Sequence, residues 1–133
     1  MTIHYLLDTD TCISYMRGKF DLRTKLDAMG FDQCAISVIT LAELKFGAEN
    51  SPRREMRLRD TEMFCRPVNV LSLVEILDVY AKEKTRLRRL GQTIADFDLL
   101  IGATAIHYDL VLVTNNVKHF ERMQNLSLEN WTL

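Results

Sequence analysis

At 133 residues the chain is long enough to bury one substantial core and too short to add a separate substrate-binding domain, so a single domain over 1–133 with one site is expected. Apolar residues make up 47% of it and charged residues 26%, a balance that excludes a disordered tail. The formal net charge of −1 argues against bulk electrostatic adhesion to nucleic acid and leaves any such contact to local patches.

The amino terminus, Met1-Thr2-Ile3-His4, has no basic segment before an apolar stretch. The longest apolar run, Leu99 to Ile106, falls far short of the roughly 18 residues of a spanning helix. A cytoplasmic protein without membrane contact is expected. Cys12, Cys34 and Cys65 are scattered without a C-x-x-C pair, so they read as buried small hydrophobes rather than a disulfide framework or a zinc site.

In chain order, the run Ile3–Leu7 predicts a strand and Thr11–Arg17, closed by Gly18, a helix. A second helix over Leu22–Met29, closed by Gly30, precedes a strand over Ala35–Ile39. Helices over Thr40–Ala48 and Pro52–Phe64 lead to a strand at Val68–Leu71. Helices over Val74–Leu90, closed by Gly91, and Asp96–Tyr108 lead to the strand Leu110–Thr114. This alternation is the pattern of βαβ units, and right-handed crossovers make the sheet parallel with helices on both faces. The expected class is α/β, a three-layer α/β/α fold with a mainly parallel sheet of four to five strands. Ligands of such sheets bind beyond the carboxyl ends of the strands.

That rule singles out a few polar residues. Asp8 follows the first strand, and because Asp10 or Thr11 is placed to cap the next helix, Asp8 is free for a functional role. Glu43 taken alone fits a capping box with Thr40. Asp98 sits in a first helical turn, where the macrodipole favours any carboxylate and Asp96 is the candidate cap. Gly102 and Ala105 continue along that helix as a small-residue stripe suited to close approach to the sheet. Three carboxylates gathered at one sheet edge raise one another's pKa unless a cation compensates, and Mg2+, with Mn2+ as its substitute, suits an all-oxygen site of this kind. Such a site points to phosphoryl chemistry.

The segments Tyr5-Leu6-Leu7-Asp8-Thr9-Asp10, Ser37 to Leu44 with Phe46-Gly47-Ala48, Ile94 to Ala103, and Leu112 to Asn116 with Phe120-Glu121 resemble, in order, the motifs of VapC toxins, which are PIN-domain ribonucleases. The ending Leu128-Glu129-Asn130-Trp131 is similar too. The resemblance implies a metal-dependent endoribonuclease, a hydrolase, whose acidic centre is Asp8, Glu43 and Asp98. Asp8 and Asp98 would ligate the metal, and Glu43 would orient or deprotonate the attacking water. It further implies that Thr114 hydrogen-bonds within the site and that a VapB-type antitoxin threads a segment over the cleft. A homodimer, a larger hetero-oligomer with the antitoxin, and an RNA substrate, with a tRNA anticodon loop first, also follow from it.

Asn116 stands where many PIN domains carry a fourth acid, and it brings a carbonyl oxygen without charge, which favours one metal ion over two. Asp96 is a supporting candidate, although capping in solvent is the simpler reading of both Asp96 and Asp10. His119 reads as a surface residue, and Tyr15 and Phe46 as core. Lys82, Arg86 and Arg89 form one basic stripe able to follow an RNA backbone. The cluster Arg53, Arg54, Arg57 and Arg59 is interleaved with acids and reads as a solvated or antitoxin-facing surface.

Two other readings compete. Asp8-Thr9-Asp10-Thr11 also fits the D-x-D-x-T opening of haloacid-dehalogenase-type phosphatases, in which Asp8 would attack phosphorus, yet the later acids stand in the wrong order. On that contrast Asp10→Asn spares a PIN nuclease and disables a phosphatase. The other alternative is a catalytically silent domain that binds RNA or protein.

Overall fold

The computed structural model describes residues 2–133. Five strands, β1 (Tyr5–Leu7), β2 (Cys34–Ser37), β3 (Asn69–Leu71), β4 (Val111–Val113) and β5 (Ser127–Glu129), form one all-parallel sheet in the order β3-β2-β1-β4-β5. The inner strands read as continuous apolar runs because both of their faces are covered. Leu6, Ala35 and Leu112 point into one core and Leu7, Ile36 and Val113 into the other, and all six are fully buried.

One core is closed by α1 (Thr9–Met16), α2 (Leu22–Met29) and α4 (Arg54–Cys65), through Cys12, Leu22, Leu26 and Phe64. The other is closed by α5 (Leu77–Arg89), α6 (Asp96–His107) and the short α7 (Val117–Phe120), through Leu87, Leu99, Ile101 and Phe120. Helix α3 (Val38–Glu49) serves both, with Ile39 in one core and Leu44 in the other. The three-layer α/β/α class is as expected. Among the described residues no helix is long and apolar enough to cross a membrane.

Several boundaries differ from expectation, each for a local reason. The strand expected over Ala35–Ile39 ends at Ser37, whose hydroxyl caps α3 by accepting the Ile39 N–H at 3.0 Å, so β-branched Val38 and Ile39 enter the helix. The capping box expected between Thr40 and Glu43 therefore does not form. Helix α1 begins at Thr9 rather than Thr11, because Asp8 itself is its cap. The long helix expected from Val74 is a 3-10 turn over Val74–Ile76 followed by α5. Strand β5 escaped notice because it is an edge strand of three residues with two exposed polar side chains.

The order of the strands decides where a site can form. The chain runs outward from β1 to β3, then crosses back to β4 on the opposite side of β1. A crevice opens beyond the carboxyl ends of β1 and β4, the topological switch point.

Gly102 lies deep in α6, and a Cβ built there runs into Met123 Sδ in the loop before β5, so the small residue admits that loop rather than the sheet. Gly47 in α3 has open space around its Cα. The two glycines should respond oppositely to alanine. Urea denaturation should show Gly47→Ala stabilising by about 1 kcal/mol through helix propensity. Gly102→Ala should destabilise by about 1–2 kcal/mol through overpacking against buried Met123.

Candidate active site

Asp8 leaves β1 at the switch point and is buried, with only 6% of its surface exposed. Its backbone N–H continues the ladder to the Val113 carbonyl at 2.9 Å. One carboxylate oxygen accepts the Thr9 N–H at 2.8 Å as the cap of α1, and the other accepts the Thr114 hydroxyl at 2.8 Å. Thr114 follows β4 and in turn accepts the Asn116 N–H at 3.0 Å, which fixes its hydroxyl toward Asp8. The two central strands are thus pinned together at the point where the crevice opens.

Burial pushes the Asp8 carboxyl up to about 7, with Asp10 and then Asp98 adding like-charge repulsion. The hydrogen bonds from Thr114 and Thr9 pull in the opposite direction without overcoming it. Asp10, expected as a solvent-facing cap, is half-buried in this cluster. Burial raises its pKa and Asp98 raises it further, against hydrogen bonds from Thr11 and the Asn115 N–H. A fourth acid is therefore present, supplied by the first turn of α1 instead of position 116. The Asn116 side chain is exposed, and its backbone N–H is what supports the site.

Glu43, half-buried on α3, accepts the Thr9 hydroxyl at 2.7 Å. That contact replaces the capping role as the explanation of its orientation. Asp98, in the first turn of α6, faces His119 of α7, with Nε2 and Oδ2 3.2 Å apart. His119 is thus a site residue that the sequence reading left on the surface. Its signal was its place one turn beyond Asn116.

The remaining candidates go elsewhere. Asp96 pairs with Lys84 at 2.8 Å and accepts the Tyr80 hydroxyl at 2.9 Å, which holds its carboxyl below the usual range, so it ties α6 to α5 rather than supporting the acids. Arg86 is spent on Glu83, at 2.9 and 3.0 Å, and on the Arg122 carbonyl. Lys82 and Arg89 line an open depression on α5, an element that contributes none of the acids. Tyr15 packs against Phe31 and Phe64 as core, whereas Phe46 is 69% exposed. A groove is lined by Ile13, Arg17, Glu43, Leu44 and Ala48, with Arg57 and Asp60, which pair at 3.5 Å, also in its lining.

Among the described residues no three Asp, Glu, His or Cys side chains converge closely enough to enclose an ion by themselves. The donor set nevertheless suits a hard divalent cation. Mg2+ takes one or two carboxylates and completes its shell with water and phosphate oxygens. A cation at Asp8 and Asp98 would also relieve the repulsion that raises Asp8.

The raised Asp8 pKa has a measurable consequence without added metal. Between pH 4 and 7 the folded carboxyl holds a proton that the unfolded one releases, so its contribution to stability falls as pH rises through that window. Asp8→Asn keeps the cap and abolishes the titration. The variant should match wild type near pH 4 and exceed it by a few kcal/mol above pH 7, at about 1.4 kcal/mol per pKa unit. A pH-independent difference between the two would show that Asp8 titrates normally.

Comparison with known proteins agrees with this arrangement. Residues 5–126 match the PIN domain family. The chain is 36% identical to Ribonuclease VapC2 of Rickettsia felis, over 96% of this chain and 97% of that protein. It is 32% identical to the tRNA(fMet)-specific endonuclease VapC of Salmonella typhimurium, over 97% and 98%. Its fold superposes with a TM-score of 0.89 on a chain of the crystal structure of VapBC2 from Rickettsia felis bound to a promoter DNA fragment, at 32% identity, covering 98% and 99% of the two chains. Matched along nearly its whole length, the chain belongs to the PIN-domain family, among the VapC ribonucleases.

Proposed function

We propose that this protein is the toxin of a type II toxin–antitoxin pair, a Mg2+-dependent endoribonuclease that acts on tRNA in the cytoplasm. The observation that carries the reading is the buried Asp8, locked by Thr114 at the switch point and crowded by Asp10 and Asp98. Asp8 contributes stability as a cap, but burial and its acidic neighbours make its ionised form costly, a cost that a bound cation would offset. The reading is consistent with relatives that are named as ribonucleases over nearly their full length.

Asp8 and Asp98 would hold the cation, with Asp10 adding charge where Asn116 adds none. When bound, Mg2+ supplies charge neutralisation at the phosphate and a lowered pKa for bound water. Glu43 takes the proton of the attacking water as its oxygen bonds to phosphorus, the P–O bond to the leaving ribose oxygen breaks, and that oxygen takes a proton from solvent to leave as a hydroxyl. Arg86 is consumed by Glu83, which leaves Lys82 and Arg89 of the α5 stripe to meet an RNA backbone.

A VapB-type antitoxin is the proposed protein partner, and Rickettsia felis VapBC2 is a complex of that kind. Its occluding segment would lie in the groove that includes Glu43, over apolar Ile13, Leu44 and Ala48 and beside Arg17. A toxin homodimer within a larger hetero-oligomer completes the assembly. The tRNA substrate is supported by the Salmonella typhimurium relative, which is named for tRNA(fMet).

Induced expression followed by 5′-end mapping of cleaved RNA tests activity and substrate together. Wild type should produce discrete cuts within tRNA, and Asp8→Asn and Glu43→Gln should reduce them by about 100-fold or more. Full cleavage by Glu43→Gln would remove the general base from the mechanism.

Calorimetry addresses the metal. Magnesium affinity should fall about tenfold per pH unit below 7, because binding must displace the Asp8 proton, and Asp98→Asn should abolish the heat. Absence of heat with wild type would favour a silent RNA- or protein-binding domain. Asp10→Asn, once expected to be harmless, should weaken Mg2+ by about 10- to 100-fold and recover activity at raised Mg2+. Loss that no Mg2+ concentration restores would instead assign Asp10 a direct chemical role.

A further inference from the structure

Among the described residues, Thr9 alone is hydrogen-bonded to both Asp8 and Glu43. Its N–H donates to Asp8 at 2.8 Å and its hydroxyl to Glu43 Oε1 at 2.7 Å. The same hydroxyl oxygen lies 3.1 Å from Thr40 Oγ1. A threonine hydroxyl has a single proton, and an ionised carboxylate accepts only. With the Thr9 proton committed to Glu43, the bond to Thr40 must run the other way, from the Thr40 hydroxyl to the Thr9 oxygen. The result is an ordered chain of hydroxyls, Thr40 to Thr9 to Glu43, that leaves α3, touches α1 and returns to α3 one turn later.

Neither threonine is needed for capping, since Asp8 caps α1 and Ser37 caps α3. Thr40 is fully buried, so its hydroxyl cannot turn to bulk water. Thr9 is β-branched and lies in a helix, where its χ1 has few allowed values, so its hydroxyl has a stiff mount. Glu43 by contrast has three rotatable bonds and a half-buried carboxylate. Left alone, it would sample several rotamers, and only some of them would face a water beside Asp8.

We propose that Thr9, oriented by Thr40, is a positioning residue that holds Glu43 Oε1 and leaves Oε2 to take the proton of the attacking water at a set distance from Asp8. The assignment rests on the reading of Glu43 as the base. Because Thr9 is adjacent in sequence to Asp8, the metal-ligating acid and the base are registered against each other through a single residue. No movement of the helices as rigid bodies is required.

The test uses full-length toxin purified free of antitoxin, with a tRNA substrate in single-turnover assays at saturating Mg2+. Thr9→Val keeps the shape and removes the hydroxyl. It should lower the rate of the chemical step by about 10- to 100-fold with KM and Mg2+ affinity within about twofold of wild type. Thr9→Ser keeps the hydroxyl and should restore the rate to within about threefold, a rescue that a packing role for the methyl group would not give. Thr40→Val should cost less than Thr9→Val, since it removes only the second link. In the Glu43→Gln background, Thr9→Val should cost nothing further, because the group that it positions is gone.

Wild-type rates in Thr9→Val beside an inactive Glu43→Gln would overturn the positioning role while leaving Glu43 as the base. An active Glu43→Gln would overturn the reading of the base itself. If Thr9→Val fails to fold, Thr9→Ala compared with Thr9→Ser carries the same contrast, and equal rates in those two would sink the proposal.

Discussion

The hydrogen bond from Thr114 to Asp8 joins the ends of two adjacent parallel strands, and the site is organised around it. It holds a carboxylate where the strand order reverses, beside the backbone bond from the Asp8 N–H to the Val113 carbonyl. The bond favours the ionised acid, while burial and two neighbouring aspartates oppose ionisation. The balance leaves Asp8 about half-ionised near pH 7 in the metal-free protein. A divalent cation would reverse it, so metal binding and proton release are linked at this residue.

Most of the candidate side chains stand in or just before the first turn of a helix or directly after a strand, and Glu43 lies in the second turn of α3. Asp8 caps α1, Asp10 stands in its first turn, Asp98 stands in the first turn of α6, and Asn116 caps α7 through its backbone. Helix N-termini carry partial positive charge and so tolerate clustered acids that would otherwise repel one another. The structural and the functional explanations of these residues are thus compatible. Capping is how Asp8 is held still.

The surface is consistent with the near-neutral charge. Arg54 pairs with Glu49, Arg57 with Asp60, Arg66 with Glu62, Lys84 with Asp96 and Arg86 with Glu83. Exposed pairs of this kind contribute little stability, but they remove cations from the supply available to a polyanion.

The alternation of apolar runs with helical patterns was enough to specify the layers, because strands buried on both faces need continuous apolar sequence, and Leu6-Leu7 and Leu112-Val113 supply it. The sheet-edge rule singled out Asp8, Glu43 and Asp98 as candidates, because each lies at a strand end or in a helical turn that periodicity can locate, whereas Thr114 came only from the family resemblance. Sequence could not show that Asp8 is itself a cap, that Asp10 lies inside the cluster, that His119 turns to Asp98, or that Asp96 leaves for Lys84. Those outcomes depend on distances between elements far apart in the chain and on how deeply each side chain is buried. Local pattern determined which residue types stand at the strand ends, whereas packing decided which of them share one low-dielectric space, and only there do their charges act on one another.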